Sequence, residues 1–247
     1  LDYGRNLAPD FTSQYPVVYN IESAPSGEVI AAVALNRKDQ EFDIVLLSAH
    51  TGEIIDNLTS GFDQSLGFEY IPLPGQRFNT VSWISWSPQG DRVAYFVRKG
   101  KYKSLVIQNV LTKDVERQID LDMVDEPESP DFSPDGTSVV FSALNSGVGD
   151  IFELDLRTEE VTNLTNDEFA DYAPLYSHDG SAVLHLARVS GNNKYFSINL
   201  SDGTSTQLTF GTHDDAGGQL LDDDTLVFSS TAIDPAQPVS PDVARDG

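Results

Sequence analysis

The chain has 247 residues with 15 Lys and Arg against 39 Asp and Glu, a net charge of −24. That balance excludes the basic surface that nucleic-acid phosphates or anionic membranes demand, and leaves cationic partners and divalent metal ions compatible. There is no cysteine, so disulfides and thiol chemistry are excluded. No apolar run approaches the roughly 18 residues of a membrane span, so membrane insertion is not expected.

The length suits one large all-β domain. Taken from its start, the chain opens on Leu1 rather than Met, as a processed or excised piece would. The first unit, approximately 15–59, predicts strands at Val17 to Ile21, Val29 to Asn36, Phe42 to Ser48 and Glu53 to Thr59. Pro25-Ser26-Gly27 turns the chain between the first two. A segment at 60–79 follows, contains Pro72-Leu73-Pro74-Gly75, and reads as an insertion loop between units. The second unit, about 80–120, has strands at Val81 to Trp86, Arg92 to Arg98, Ser104 to Asn109 and Val115 to Asp120.

The third unit, about 128–165, shows the pattern most clearly. A short strand, Ser129 to Ser133, runs into the turn Ser133-Pro134-Asp135-Gly136, where Pro presets φ and Gly accepts a positive φ. The strands Ser138 to Ser142, Asp150 to Asp155 and Val161 to Thr165 follow, the middle one with period-two alternation. The fourth unit, about 172–209, repeats this order with strands at Ala173 to Ser177, Ala182 to Arg188, Lys194 to Asn199 and Ser205 to Thr209. The fifth, 216–247, is incomplete: Ala216 to Leu221 and Thr225 to Ser230 precede a Pro-rich loop.

Gly90, Gly136 and Gly180 close three copies of the same turn at spacings of 46 and 44 residues. A strand-rich period of about 40–50 residues indicates a β-propeller built from four-stranded antiparallel blades. About four and a half blades are legible, which is expected of part of a larger ring. Its open edge would be closed by remaining blades or by a second chain; a five-bladed ring completed by the N-terminal residues is the alternative.

The run Asn163-Leu164-Thr165, Asp171, Pro174, Tyr176-Ser177 and Asp179-Gly180 resembles the WD-like repeats of TolB-family β-propellers. The resemblance covers about Pro25 to Ser230 and concerns the fold first. It implies binding in or around a central channel and a periplasmic or secreted location. Similar propellers also accompany catalytic domains in bacterial peptidases. His178 in place of Pro, and Pro127 where the next copy has Asp171, depart from the pattern.

No Gly-x-Ser-x-Gly elbow and no His-Glu-x-x-His motif occurs, so no catalytic residues are expected within these residues. The candidate site lies just before the first strands of successive blades. Asp171 and Asp215 are 44 residues apart, Glu126 and Glu128 sit at the matching place, and His213 and Asp214 flank Asp215. Trp83 and Tyr172 are candidates for the channel lining or its rim. Converging carboxylates suit Ca²⁺, with Asp171 and Asp215 as ligands; capping of strand entries by the same residues competes with that reading. His185 lies inside a strand, where a packed or an outward-facing residue is expected, and Trp86 is expected to fill an inter-blade slot. Asn57, Asn163 and Asn199 match the N-glycosylation pattern, but the first two belong to the repeated strand end.

Two functions follow. One is a non-catalytic scaffold that engages a protein, peptide or glycan at the channel mouth. The other is a substrate-gating propeller of a bacterial peptidase whose catalytic domain lies outside this chain.

Overall fold

The computed structural model describes residues 9–61, 65–66, 84–99, 101–222 and 225–232. The chain divides into two compact units, one carrying β1 to β9 and the other β10 to β19, and each is described by itself. The fold is nearly all β, in antiparallel sheets whose strands are neighbours in sequence.

In the first unit, β1 (Val17–Ser23), β2 (Val29–Leu35), β3 (Phe42–Ser48) and β4 (Ile54–Asn57) form one four-stranded sheet in that order. The second blade consists of β6 (Ile84–Trp86), β7 (Arg92–Lys99), β8 (Tyr102–Asn109) and β9 (Val115–Asp120), joined by a two-residue strand, β5 (Ser65–Leu66). In the second unit, β10 (Asp125–Phe132), β11 (Ser138–Asn145), β12 (Val148–Asp155) and β13 (Val161–Asn163) make the third blade. The fourth comprises β14 (Asp171–Tyr176), β15 (Ala182–Val189), β16 (Asn192–Asn199) and β17 (Ser205–Gln207); β18 (Asp215–Asp222) and β19 (Thr225–Ser230) pair as a fifth.

The middle strands are apolar on both faces because each sheet is packed from both sides. Ala31 to Ala34 of β2 and Val93 to Val97 of β7 are continuously buried, as parallel-sheet strands usually are and one-sided strands are not. The fourth strands are mostly exposed or half-buried and carry more polar residues than the middle ones, although β4 exposes Ile54 and Ile55. Between the third and fourth blades, Val140, Ile151, Tyr176 and Val183 form one buried cluster.

The repeated turn works as its residues dictate. Gly136 N–H donates to Ser133 O at 2.8 Å with φ +73°, and Gly180 N–H to Ser177 O at 3.0 Å with φ +72°. Ser133 Oγ donates to Asp135 Oδ1 at 2.6 Å, and Ser177 Oγ to Asp179 Oδ1 at 2.7 Å. His178 therefore replaces proline without loss of the turn. The turns also stack: a Cβ on Gly90 would meet Pro25 Cδ at 3.4 Å, and one on Gly180 would meet Pro134 Cδ at 3.6 Å. Trp86 fulfils its inter-blade expectation, with Nε1 donating to Glu22 O of β1 at 3.2 Å.

The innermost strands carry a bulge. Ser129, Ala173 and Gly217 have positive φ of 53°, 52° and 61° and recur every 44 residues, each at a register slip against the second strand. In the second blade the same place is opened wide. β5 pairs with Val97 and Arg98, whereas β6 pairs with Val93 to Tyr95 on the same edge of β7. Ser65–Leu66, inside the 60–79 segment expected to be an insertion loop, thus forms a short strand of this sheet.

A six-residue helix, α1 (Pro9–Gln14), has no counterpart in the sequence expectations. At that length helical periodicity gives no signal. Packing sustains it, since Phe11 and Tyr15 are buried against Ala32, Ala34, Val45 and Leu47.

Candidate functional site

The described site residues lie at or just before the starts of β10, β14 and β18. Trp83 lies outside the described residues. Glu126 is exposed and Glu128 half-buried on β10, where Glu128 faces Ser142 of β11. Tyr172 is half-buried, and burial pushes its hydroxyl above the ordinary range, with the Asp214 charge adding and Arg188 opposing. His213 and Asp214 are half-buried; Asp214 Oδ1 accepts the Asn193 N–H at 2.9 Å.

Asp171 and Asp215, expected to face a ligand, are sealed in the protein at 2% and 0% exposure. Each has a different cationic neighbour. Lys194 Nζ donates to Asp215 Oδ2 at 3.0 Å, and His213 Nε2 lies 3.7 Å from the other oxygen. Asp171 Oδ1 lies 3.3 Å from His185 Nδ1, and neither Asp171 oxygen accepts a backbone N–H. Capping therefore does not describe Asp171 or Asp215. Among the described residues no three His, Asp or Glu side chains gather into a group that could hold a metal ion. His185 takes the packed alternative, its ring 5.8 Å from that of Phe196.

Two further residues, unselected from the sequence, organise the blade edges. Asp43 Oδ2 accepts from Asn36 Nδ2 and Asn57 Nδ2, both at 2.8 Å, and from the Tyr15 hydroxyl at 3.3 Å. Asp150 Oδ2 accepts from Asn145 Nδ2 at 3.1 Å and Asn163 Nδ2 at 2.7 Å. Thr59 and Thr165 complete the pattern, each accepting a third-strand N–H, from Ile44 and Ile151 respectively. This is the physical content of the repeated Asn-Leu-Thr: the amide nitrogens that a glycan would need are committed to buried carboxylates. A charged residue inside an apolar third strand was the available signal for both hubs, and for Lys194.

The chemistry left open to solvent is acidic and aromatic. Burial, with the charge of Glu126 adding, pushes the Glu128 carboxyl up to about 7. The folded chain then holds a proton that the unfolded chain releases near its ordinary 4.5. This group's contribution to stability is therefore complete below 4.5 and lost as pH rises through about 7. Glu128→Gln is expected to remove that component, at most about 3 kcal/mol. Denaturant midpoints across the pH series check it; an unchanged difference between acid and neutral pH in the variant would refute the assignment.

With this geometry in place, comparison with known proteins is informative. Residues 79–244 match the TolB β-propeller domain family, PD40. Dipeptidyl-peptidase 5 of Porphyromonas gingivalis is 27% identical over 184 residues, covering 67% of this chain and 26% of that protein. The Tol-Pal system protein TolB of Francisella tularensis is 27% identical over 117 residues, covering 46% of this chain and 26% of that protein. The chain thus spans about a quarter of the length of these curated relatives. The solved structure of a TolB from Agrobacterium tumefaciens, described as putative, superposes with a TM-score of 0.62 at 16% identity, over 78% of this chain and 65% of the other. At that identity the likeness speaks for the fold alone. With two thirds of its residues matched by the family and its blades built on the family's turn, the chain belongs to the TolB β-propeller family.

Proposed function

We propose that this chain is a non-catalytic binding propeller, periplasmic or secreted, that engages a protein or peptide partner at the starts of its innermost strands. One observation carries the reading. At those strand starts, Glu126, Glu128, Tyr172, His213 and Asp214 keep some exposure, while Asp171 and Asp215 beside them are buried. The open side chains are mostly acidic on a chain of net charge −24, which favours a partner carrying Lys or Arg. TolB relatives support a protein partner, and their name places them in the Tol-Pal system.

Fluorescence anisotropy with a lysine-rich and a glutamate-rich peptide of equal length tests this. The lysine-rich probe is expected to bind, and the double variant Glu126→Gln/Glu128→Gln to weaken it by about tenfold. Equal binding of both peptides, or no effect of the double variant, would overturn the reading.

A second reading is favoured by the dipeptidyl-peptidase resemblance over 67% of the chain. In it the propeller gates substrate access to a peptidase domain of the same polypeptide. The parent reading frame decides: an encoded hydrolase domain supports the gate, and a frame without one removes it.

A further inference from the structure

The repeat supplies its own internal comparison at two successive blade junctions. Asp150 of β12 pairs with Ala143 and Lys194 of β16 pairs with Ala187, so they occupy one register position 44 residues apart. Asp171 and Asp215 open the following innermost strands, again 44 residues apart. At the junction of the fourth and fifth blades this geometry produces the Lys194–Asp215 pair at 3.0 Å, with side chains 2% and 0% exposed. At the junction of the third and fourth, a carboxylate stands where the lysine would be. Two buried carboxylates, Asp150 and Asp171, then belong to one junction.

Two acidic groups in a dry interior are costly unless a positive charge accompanies them. Hydrogen bonds from Asn145, Asn163 and Thr165 satisfy Asp150. Asp171 has no such partner: both of its oxygens are buried without a hydrogen bond, and so are both ring nitrogens of His185. The two side chains are 1% and 3% exposed, and Asp171 Oδ1 lies 3.3 Å from His185 Nδ1.

His185 itself stands at an aromatic position of the repeat. Tyr95 faces Val106 and Phe141 faces Phe152 in the second and third blades, as His185 faces Phe196 in the fourth. In the fifth blade the equivalent is Phe228, one residue beyond Val227, which faces Gln219 as Leu184 faces Leu175. The exchange is reciprocal. One junction has lysine on the earlier blade and phenylalanine on the later; the other has aspartate on the earlier and histidine on the later.

We infer that His185 is the cation of the third–fourth blade junction, an imidazolium that does for Asp171 what Lys194 does for Asp215. The groups facing it are Asp171 from β14, Asp167 from the loop before β14 and uncharged Phe196 from β16. Partial burial, followed by the charges of Asp171 and Asp150, holds the Asp167 carboxyl above its ordinary range, and His185 acts in the opposite sense. An ammonium stays charged across physiological pH, whereas an imidazole changes charge between about pH 5 and pH 8. The third–fourth junction therefore rests on an imidazolium where the fourth–fifth rests on an ammonium, and on the 3.3 Å approach of two sealed side chains.

Nitrogen-15 spectra of the full chain at about pH 6 test the charge directly, since neutral tautomers and imidazolium have distinct ring shifts. Imidazolium shifts for His185 are expected in the parent; a neutral tautomer there would overturn the inference. Melting curves give the second test, run in a Glu128→Gln background so that Glu128 does not contribute. At the same pH, His185→Phe is expected to lower the melting temperature by about 6–12 °C. Adding Asp171→Leu, which removes the stranded carboxylate, should recover most of the loss. A single variant as stable as the parent, or a double variant no better than the single, would also overturn it.

Discussion

Lys194→Met is expected to destabilise the chain by about 3–5 kcal/mol, the largest effect of any single substitution proposed. Among the described residues the ammonium is the one hydrogen-bond donor to Asp215, whose other oxygen lacks a partner. Methionine matches the volume of the lysine stem and leaves no cavity, so the loss reports the uncompensated charge rather than packing. The double variant Lys194→Met/Asp215→Leu should recover most of it, because replacing both members of a buried pair by apolar groups is often neutral. Chemical denaturation of the four proteins in a double-mutant cycle gives the coupling. A single-variant cost below about 1 kcal/mol would mean that water reaches Asp215 and that the pair is not sealed.

The second large effect is at Asp43. Asp43→Ala is expected to cost about 2–4 kcal/mol, because each buried donor left without its acceptor loses about 1–3 kcal/mol and these donors partly rearrange. Asn36 Nδ2, Asn57 Nδ2 and the Tyr15 hydroxyl would all lose the same oxygen. Tyr15 also anchors α1 to the first blade, so the effect should reach beyond the sheet edge. Amide hydrogen exchange checks this: protection at Ile44, whose N–H donates to Thr59 Oγ1, should fall in the variant. Unchanged protection there, with an unchanged denaturation midpoint, would show that the hub carries no stability.

The two hubs and the two buried pairs share a logic. Each of the first four blades places one polar residue at the same register of its third strand, and the fold accepts Asp43, Ser104, Asp150 or Lys194 there according to what surrounds it. Ser104 Oγ, for example, donates to Asp120 Oδ1 at 2.7 Å and receives Gln118 Nε2 at 3.3 Å. The backbone repeat is constant while its polar chemistry varies from junction to junction. This is how a repeated scaffold acquires distinct surfaces without changing its strands.

Much of this architecture was legible in the residues alone. Strand positions, the Ser-Pro-Asp-Gly turns and the 44-residue period depend on neighbours a few positions apart. Local sterics and alternation decide them, so β11, β12, β15 and β16 lie where they were expected to within three residues. The ends of the innermost strands were less legible. The bulge at Ser129 and Ala173 requires a positive φ at non-glycine residues, which no composition rule flags. Nor does composition show that Ser65–Leu66 joins the second sheet as a short strand. α1 was invisible because its stability comes from burying Phe11 and Tyr15, not from helical propensity.

The candidate site divides along the same line. Spacing alone identified Asp171 and Asp215 as equivalent residues, because the repeat places them so. Only the packed structure decided that they point inward to His185 and Lys194 while Glu126, Glu128 and Tyr172 keep contact with solvent. A carboxylate's role depends on the charge that faces it, and that charge comes from a neighbouring strand or blade. Short-range pattern determines the blades; the pairing of charges between them exists only once the blades are packed.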